Sequence, residues 1–346
     1  MTKKKKPLIF IPLSILSALV VVAVSLLGAL FWNRFSRGVV PTEAQLAAVR
    51  AAGQTYDRVV IFGVDGAGGH FGEMDTPSFD RVFLSEERGG SVTYEATAQY
   101  PTESAQNWGS MLHGVRSGKH GLTNEIASSR PFTDERYPSL FKVYAERHPG
   151  AYMASVVDWD VVNGGIIEQG IEGLTRINVG ELIREEVSGL DWYASEYAID
   201  TAVADEAIRE LRENDPVILF THFDCVDAAG HLWGSGSTKY EEAISHVDDQ
   251  IGRIFDACEE MGIADSTLFI CVSDHGHKLT GGHGRNCPVV RHTTFAVAGG
   301  KGNVISGTPG YVVTQDLASV VFYALGERQP DAWDSSVPKN MFTGLA

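Results

Sequence analysis

Five short stretches of this chain are almost uninterruptedly apolar, and longer segments of helical periodicity separate them. Arg58 opens the first, Val-Val-Ile-Phe-Gly-Val64, and the others lie at 151–157, 216–223, 267–273 and 293–298. An apolar run of this length without polar alternation is the pattern of a strand covered on both faces. Helical patterns fall near 77–88, 104–113, 138–147, 196–213, 238–261 and 314–325. Strands alternating with helices predict an α/β fold, with a mainly parallel sheet sandwiched between helices. Open sheets of this kind bind ligands beyond the carboxyl ends of their strands. Here those ends carry chemistry: Asp65 after the first run, Asp224, Asp227 and His231 after the third, and Asp274 and His275 after the fourth, with His283 close behind.

The amino terminus has a different character. Lys3 to Lys6 precede the stretch from Pro7 to Trp32, which contains no charged residue. As a helix it would be about 39 Å long, more than the roughly 30 Å hydrocarbon core of a bilayer. It is longer than a signal-peptide apolar region and lacks a clear small-x-small cleavage pattern, so it reads as an uncleaved membrane anchor, with a cleaved signal as the alternative. The lysines would place residues 1–6 in the cytoplasm and everything after residue 38 outside: extracellular, periplasmic or lumenal. Residues 33–55 follow as a linker, with a short helix as the alternative for its later part, and 56–346 as the catalytic domain.

The chain has 28 basic and 44 acidic residues, and six of the basic ones lie before residue 39. The remainder is strongly anionic, which argues against a nucleic-acid polymer as partner. A small phosphate-bearing substrate remains compatible, because a bound metal reverses the local sign. Cys225, Cys258, Cys271 and Cys287 allow three disulfide pairings, although Cys271 reads as a small core residue. Oligomeric state leaves no pattern to read.

Asp227 and His231 are four residues apart and converge on one ion if the segment is helical. Asp274-His275-Gly276 sits where a strand breaks, and Gly281-Gly282-His283-Gly284 brings a third imidazole on a loop. Three aspartates and three histidines suit zinc, with manganese or iron as competitors. Six ligands exceed what one catalytic ion with an open position uses, so two ions are expected. Ser104, at the start of a helical pattern, is the candidate nucleophile, ahead of Thr102, because a helix amino end favours an alkoxide and a phosphoryl group. Asp224 competes with Asp227 but lacks the four-residue spacing. His120 and His222 read as surface or structural, and His277 as a weaker candidate to support a ligand. The acids Glu241, Glu242, Asp248 and Asp249 read as a solvated helix face.

Val64-Asp65-Gly66, Pro101-Thr102-x-Ser104-x-x-Asn107, His120-Gly121, Asp227-x-x-Gly230-His231 and Ser273-Asp274-His275-Gly276 occur in an order that resembles the alkaline phosphatase superfamily. The closest likeness is to its type I phosphodiesterase and nucleotide pyrophosphatase branch, and it extends from about Arg58 to about Gly326. The resemblance implies one zinc on Asp65, Ser104, Asp274 and His275, and a second on Asp227, His231 and His283. It further implies that Ser104, which stands where that branch usually has threonine, attacks phosphorus to give a phosphoseryl enzyme that water then hydrolyses. Asn107 takes the place of the asparagine that contacts phosphoryl oxygens. Asn124, one residue out of register, takes that of a second, and Trp108 replaces a histidine. The expected substrate is a small phosphodiester or nucleotide, with activity rising from neutral to alkaline pH. The Pro-Thr-Glu-Ser string and the short interval to His283 are also similar to the ethanolamine-phosphate transferases of glycolipid anchor synthesis, so a phosphotransferase with a lipid or glycan acceptor is the alternative. The chain shows no further apolar span after the domain, and the expectation leans to the hydrolase.

Overall fold

A computed structural model describes residues 38–345, Glu87 excepted. The proposed tail and anchor lie outside the described residues. Among these, no helix is long and apolar enough to cross a membrane.

Seven strands form one sheet: β1 (Arg58–Val64), β2 (Gly90–Thr97), β3 (Met153–Val157), β4 (Leu174–Asn178), β5 (Ile218–Phe223), β6 (Thr267–Ser273) and β7 (His292–Gly299). Their spatial order is β2-β7-β6-β1-β5-β3-β4. Strands β6, β1, β5, β3 and β4 run parallel. β7 is antiparallel to both neighbours, so the sheet is mixed rather than purely parallel. Each of the five apolar runs became a strand. β2 and β4 were missed because edge strands are half-exposed and carry polar residues, as in Leu-Thr-Arg-Ile-Asn178.

Side chains on a strand alternate between faces, and this divides the core in two. Val59 and Ile61 of β1 join a cluster with helices α3 (Ser104–His113), α5 (Leu140–Arg147) and α9 (Leu317–Ala324). Val60, Phe62 and Val64 join the opposite cluster, with α2 (Pro77–Phe83), α6 (Trp192–Asn214), α7 (Cys225–Trp233) and α8 (Thr238–Glu260). Two further helices are α1 (Glu43–Ala51) and α4 (Asn124–Ser129). Within the stretch read as a linker, α1 is closed by a Thr42–Gln45 capping box and buries Leu46 and Val49.

All four cysteines are free; Cys225, Cys258 and Cys271 are buried as core residues, as read for Cys271. One expectation needs correction. Asp248 does not lie on a solvated face. It is buried, and its carboxylate accepts the backbone N–H groups of Ser78 (2.9 Å) and Phe79 (2.7 Å), capping α2 from across the helix layer.

Candidate active site and metal centre

Four adjacent parallel strands end on an aspartate: β6 at Asp274, β1 at Asp65, β5 at Asp224 and β3 at Asp158. The strand-end rule therefore places a row of carboxylates along one rim of the sheet. Gly66 lets the chain turn there. It has φ +69°, and a Cβ would come within 2.7 Å of Asp227 Oδ1, so a side chain would enter the carboxylate cluster.

Ser104 is the first residue of α3, with its helix amino end at the rim. Its Oγ–H donates to Asp65 Oδ1 at 3.5 Å, and the same oxygen lies 3.2 Å from His275 Nε2. The other Asp65 oxygen accepts from Trp108 Nε1 (2.8 Å) and faces His222 Nε2 (3.1 Å). Two buried rings thus aim Oδ1 at the serine. His222, read from sequence as structural or surface, supports Asp65 from a strand interior. The signal that would have found it is its place on β5 beside Gly63 of β1. Asp274 uses Oδ1 to accept the Gly66 N–H (3.1 Å).

The second group gathers around Asp227, which projects from α7. His231 stands one turn on, with Nε2 3.2 Å from Asp227 Oδ2, and His283 Nε2 lies 3.2 Å from His231 Nε2. His283 holds its Nδ1 2.8 Å from the Thr102 carbonyl, which fixes the N–H on that side and leaves Nε2 bare. His277 occupies the interior of this group. Its Nε2 is 2.7 Å from Asp227 Oδ1, and its ring packs against those of His231, His275 and His283. Gly230 makes that possible, since a Cβ there would run into the His277 ring.

The donor set fits divalent cations. Ligand atoms of Asp65, Asp274 and His275 converge within 4.8 Å, and so do those of Asp227, His275, His277 and His283. Asp274 Oδ2, His275 Nδ1 and His277 Nδ1 are buried without a hydrogen-bond partner. Burial, with the charge of Asp65 next, drives the Asp274 carboxyl well above the usual range. Burial likewise pushes Asp227 upward, but the hydrogen bonds from His231 and His277 outweigh it and hold the carboxyl well below. Burial and the neighbouring His283 bring His275 down to about 3, so it is neutral and able to donate a lone pair. The buried carboxylates beside the neutral His275 ring are short of positive charge, and cations would provide it.

Asn107 departs from expectation. Its Oδ1 accepts the Gln99 N–H (2.6 Å) and its Nδ2 donates to the Glu103 carbonyl (3.1 Å), so the amide braces the 99–103 loop beneath Ser104 and does not face the cleft. Asn124 does line the cleft, and its Oδ1 accepts the Ala105 N–H at 2.8 Å. The cleft has a volume of about 650 Å³ and runs from Ser104 and His283 past Asp224 to Asp158, Trp159 and Glu196.

Residues 59–313 match the family model described as type I phosphodiesterase / nucleotide pyrophosphatase. The chain belongs to that family. Among curated relatives of this phosphodiesterase-family chain, GPI ethanolamine phosphate transferase 2 of Aspergillus fumigatus is 24% identical over 79% of the chain. GPI ethanolamine phosphate transferase 1 of Saccharomyces cerevisiae is 34% identical over 32% of it. The chain spans about a third of the first relative's length (34%) and 12% of the second's. Human ectonucleotide pyrophosphatase/phosphodiesterase 5 shares the fold with TM-score 0.60 at 12% identity, covering 79% of this chain and 96% of that one. A 2-O GAG sulfatase does so with TM-score 0.59 at 12% identity, covering 81% and 73%. Membership of that family supports a phosphoester-related function on an alkaline-phosphatase-like fold, and the superfamily is metal-dependent.

Proposed function

We propose that this chain cleaves phosphodiester or pyrophosphate bonds by way of a phosphoseryl intermediate on Ser104, at a centre holding two divalent ions. The observation that carries the reading is the placement of the Ser104 hydroxyl. It lies on the cleft wall at the start of α3, donating to Asp65 and within 3.2 Å of His275. Asp65, Ser104, Asp274 and His275 would hold one ion, and Asp227, His231 and His283 the other. Zinc suits the mixed oxygen and nitrogen donors. Bound ions would lower the pKa of a hydroxyl or water and offset charge on the phosphoryl oxygens.

The chain's own groups supply the rest. Asp65 orients the serine hydroxyl and draws its proton. The α3 amino end turns the positive end of its dipole toward the phosphoryl group. Asn124 spends its Oδ1 on Ala105, which leaves Nδ2 to donate to a non-bridging oxygen; a donor of that kind contributes roughly 3 kcal/mol to the transition state. Displacement by water would complete hydrolysis. Displacement by a lipid or glycan hydroxyl would make the chain a transferase, a second reading favoured by its GPI ethanolamine phosphate transferase relatives. Either reading suits a domain tethered outside a membrane by residues 7–32.

The test is hydrolysis of an aryl phosphodiester by the metal-loaded chain and by Ser104→Ala. The variant should lose about 10⁴-fold or more in kcat, and denatured wild type quenched in turnover should carry on Ser104 the phosphoryl group with its one remaining ester. Equal rates would remove Ser104 from the chemistry. Partition of the phosphoryl group between water and an added alcohol separates hydrolase from transferase.

A further inference from the structure

Thr102 is not the nucleophile in this reading, yet its hydrogen bonds all end on the loop that carries His283. It is fully buried. Its Oγ1–H donates to the Arg285 carbonyl (3.1 Å), and its own carbonyl accepts the Gly284 N–H (3.0 Å) and faces His283 Nδ1 (2.8 Å). One residue thus grips three consecutive residues of the ligand loop. The loop depends on that grip. Gly282 and Gly284 flank His283 with φ of +79° and +77°, and glycine leaves such conformations readily for others. Among the described residues, no other hydrogen bond reaches the backbone of 283–285. A Cβ at Gly284 would run into the Glu103 carboxylate, so the loop also touches the residue just before Ser104. On the serine side, the Glu103 carbonyl accepts both the Asn107 N–H and its Nδ2 (3.1 Å each), which ties the segment to α3.

We propose that Thr102 is a positioning residue that couples the two halves of the centre, holding His283 and Ser104 at one fixed separation, so that an ion gripped by His283 also steadies the serine. A threonine that merely filled the core would not direct its donor and its acceptor to the same three residues. Its β-branched side chain has few rotamers, so the hydroxyl stays aimed. Without that hydroxyl, 283–285 would be held through the Thr102 carbonyl alone, and His283 would spend more time out of place. An apparent dissociation constant rises as the binding-competent fraction falls. The coupling also runs in reverse, because linkage between two sites is reciprocal. An ion on His283 therefore orders residues 102–104.

This inference rests on the two-ion reading, but metal binding tests it separately from turnover. Zinc is withdrawn from the loaded full chain by a chromophoric chelator of known affinity. Thr102→Val keeps the shape and loses the hydroxyl, and it should weaken one of the two equivalents about tenfold, the worth of one hydrogen bond. Thr102→Ser should stay within about threefold of the wild type. In a His283→Ala background, Thr102→Val should weaken neither equivalent further, since the ligand it acts through is gone. Amide exchange in Ser104→Ala, where the serine no longer reaches an ion, gives a readout that does not depend on how the valine variant folds. Zinc should slow exchange at 102–104 together with 282–285. Wild-type zinc affinity in Thr102→Val, the same loss with His283 removed, or exchange at 102–104 indifferent to zinc would each overturn the coupling. If the coupling is found while the wild type cleaves no aryl phosphodiester, the coupling stands and the phosphodiester reading fails.

Discussion

His277 shows how much a single side chain settles at this site. Its Nε2 pins Asp227 Oδ1 at 2.7 Å, which leaves Oδ2 beside His231 for an ion. His277 is therefore expected to position a ligand rather than to be one. His277→Ala should weaken one of two bound metal equivalents by roughly 10–100-fold, and His277→Gln by less. Metal titration checks this, and in the cobalt-substituted protein the visible ligand-field bands should keep their envelope. Unchanged affinity at both equivalents would refute the assignment. His120, which is not among the proposed ion ligands, sits in an equally fixed environment. Its Nδ1 accepts the Leu122 N–H (3.0 Å), and its Nε2 lies 3.0 Å from a Ser110 hydroxyl that already donates to Gln106. Burial, with the nearby His113, lowers it from 6.5 to about 3. The unfolded chain thus takes up a proton that the folded chain refuses. The contribution is complete above pH 6.5 and declines, by roughly 1.4 kcal/mol per pH unit, as pH falls toward 3. His120→Asn keeps an acceptor for Leu122 and should flatten the pH dependence of unfolding over that interval.

At the level of elements, helix amino ends organise both function and stability. α3 delivers Ser104 because its ten residues begin at the sheet rim, with the 99–103 loop held beneath it by Asn107. α2 is short and its Thr76 makes no side-chain cap, so the cap comes from Asp248 in the middle of α8. Asp248→Ala should cost about 1–2 kcal/mol in urea unfolding while leaving aryl diester hydrolysis near the wild-type rate. A change below about 0.3 kcal/mol, well under the usual cost of losing a cap, would mean that the α2 N–H groups find other partners. Periodicity revealed α8 as a helix but not what its acids faced, because a carboxylate that caps a distant helix looks in sequence like any exposed acid.

For the whole molecule, the dominant fact is concentrated negative charge. The chain carries a net charge of −16, and four of its carboxylates stand in a row at one rim of the sheet. Ions at that rim would stabilise the folded chain by mass action, about 2.7 kcal/mol when free metal is a hundred times its dissociation constant. Chelation should therefore lower the melting temperature by several degrees, and zinc should restore it. Ser104→Ala should show nearly the same shift, because most of the ligands remain. A melting temperature indifferent to chelator would mean that the carboxylates are balanced by protons instead.

The sequence alone determined the layered α/β plan, because strands buried on both faces must be apolar throughout. It also determined the strand-end positions of Asp65, Asp274 and His275, and the helical pairing of Asp227 with His231. Only the tertiary structure decided which of those groups meet, since convergence depends on strand order and not on separation along the chain. That order brought His277 and His222 in as supports, turned Asn107 away, and set Asp158 of β3 and Glu196 of α6 in one cleft. The two lie 38 residues apart, and no local pattern links them.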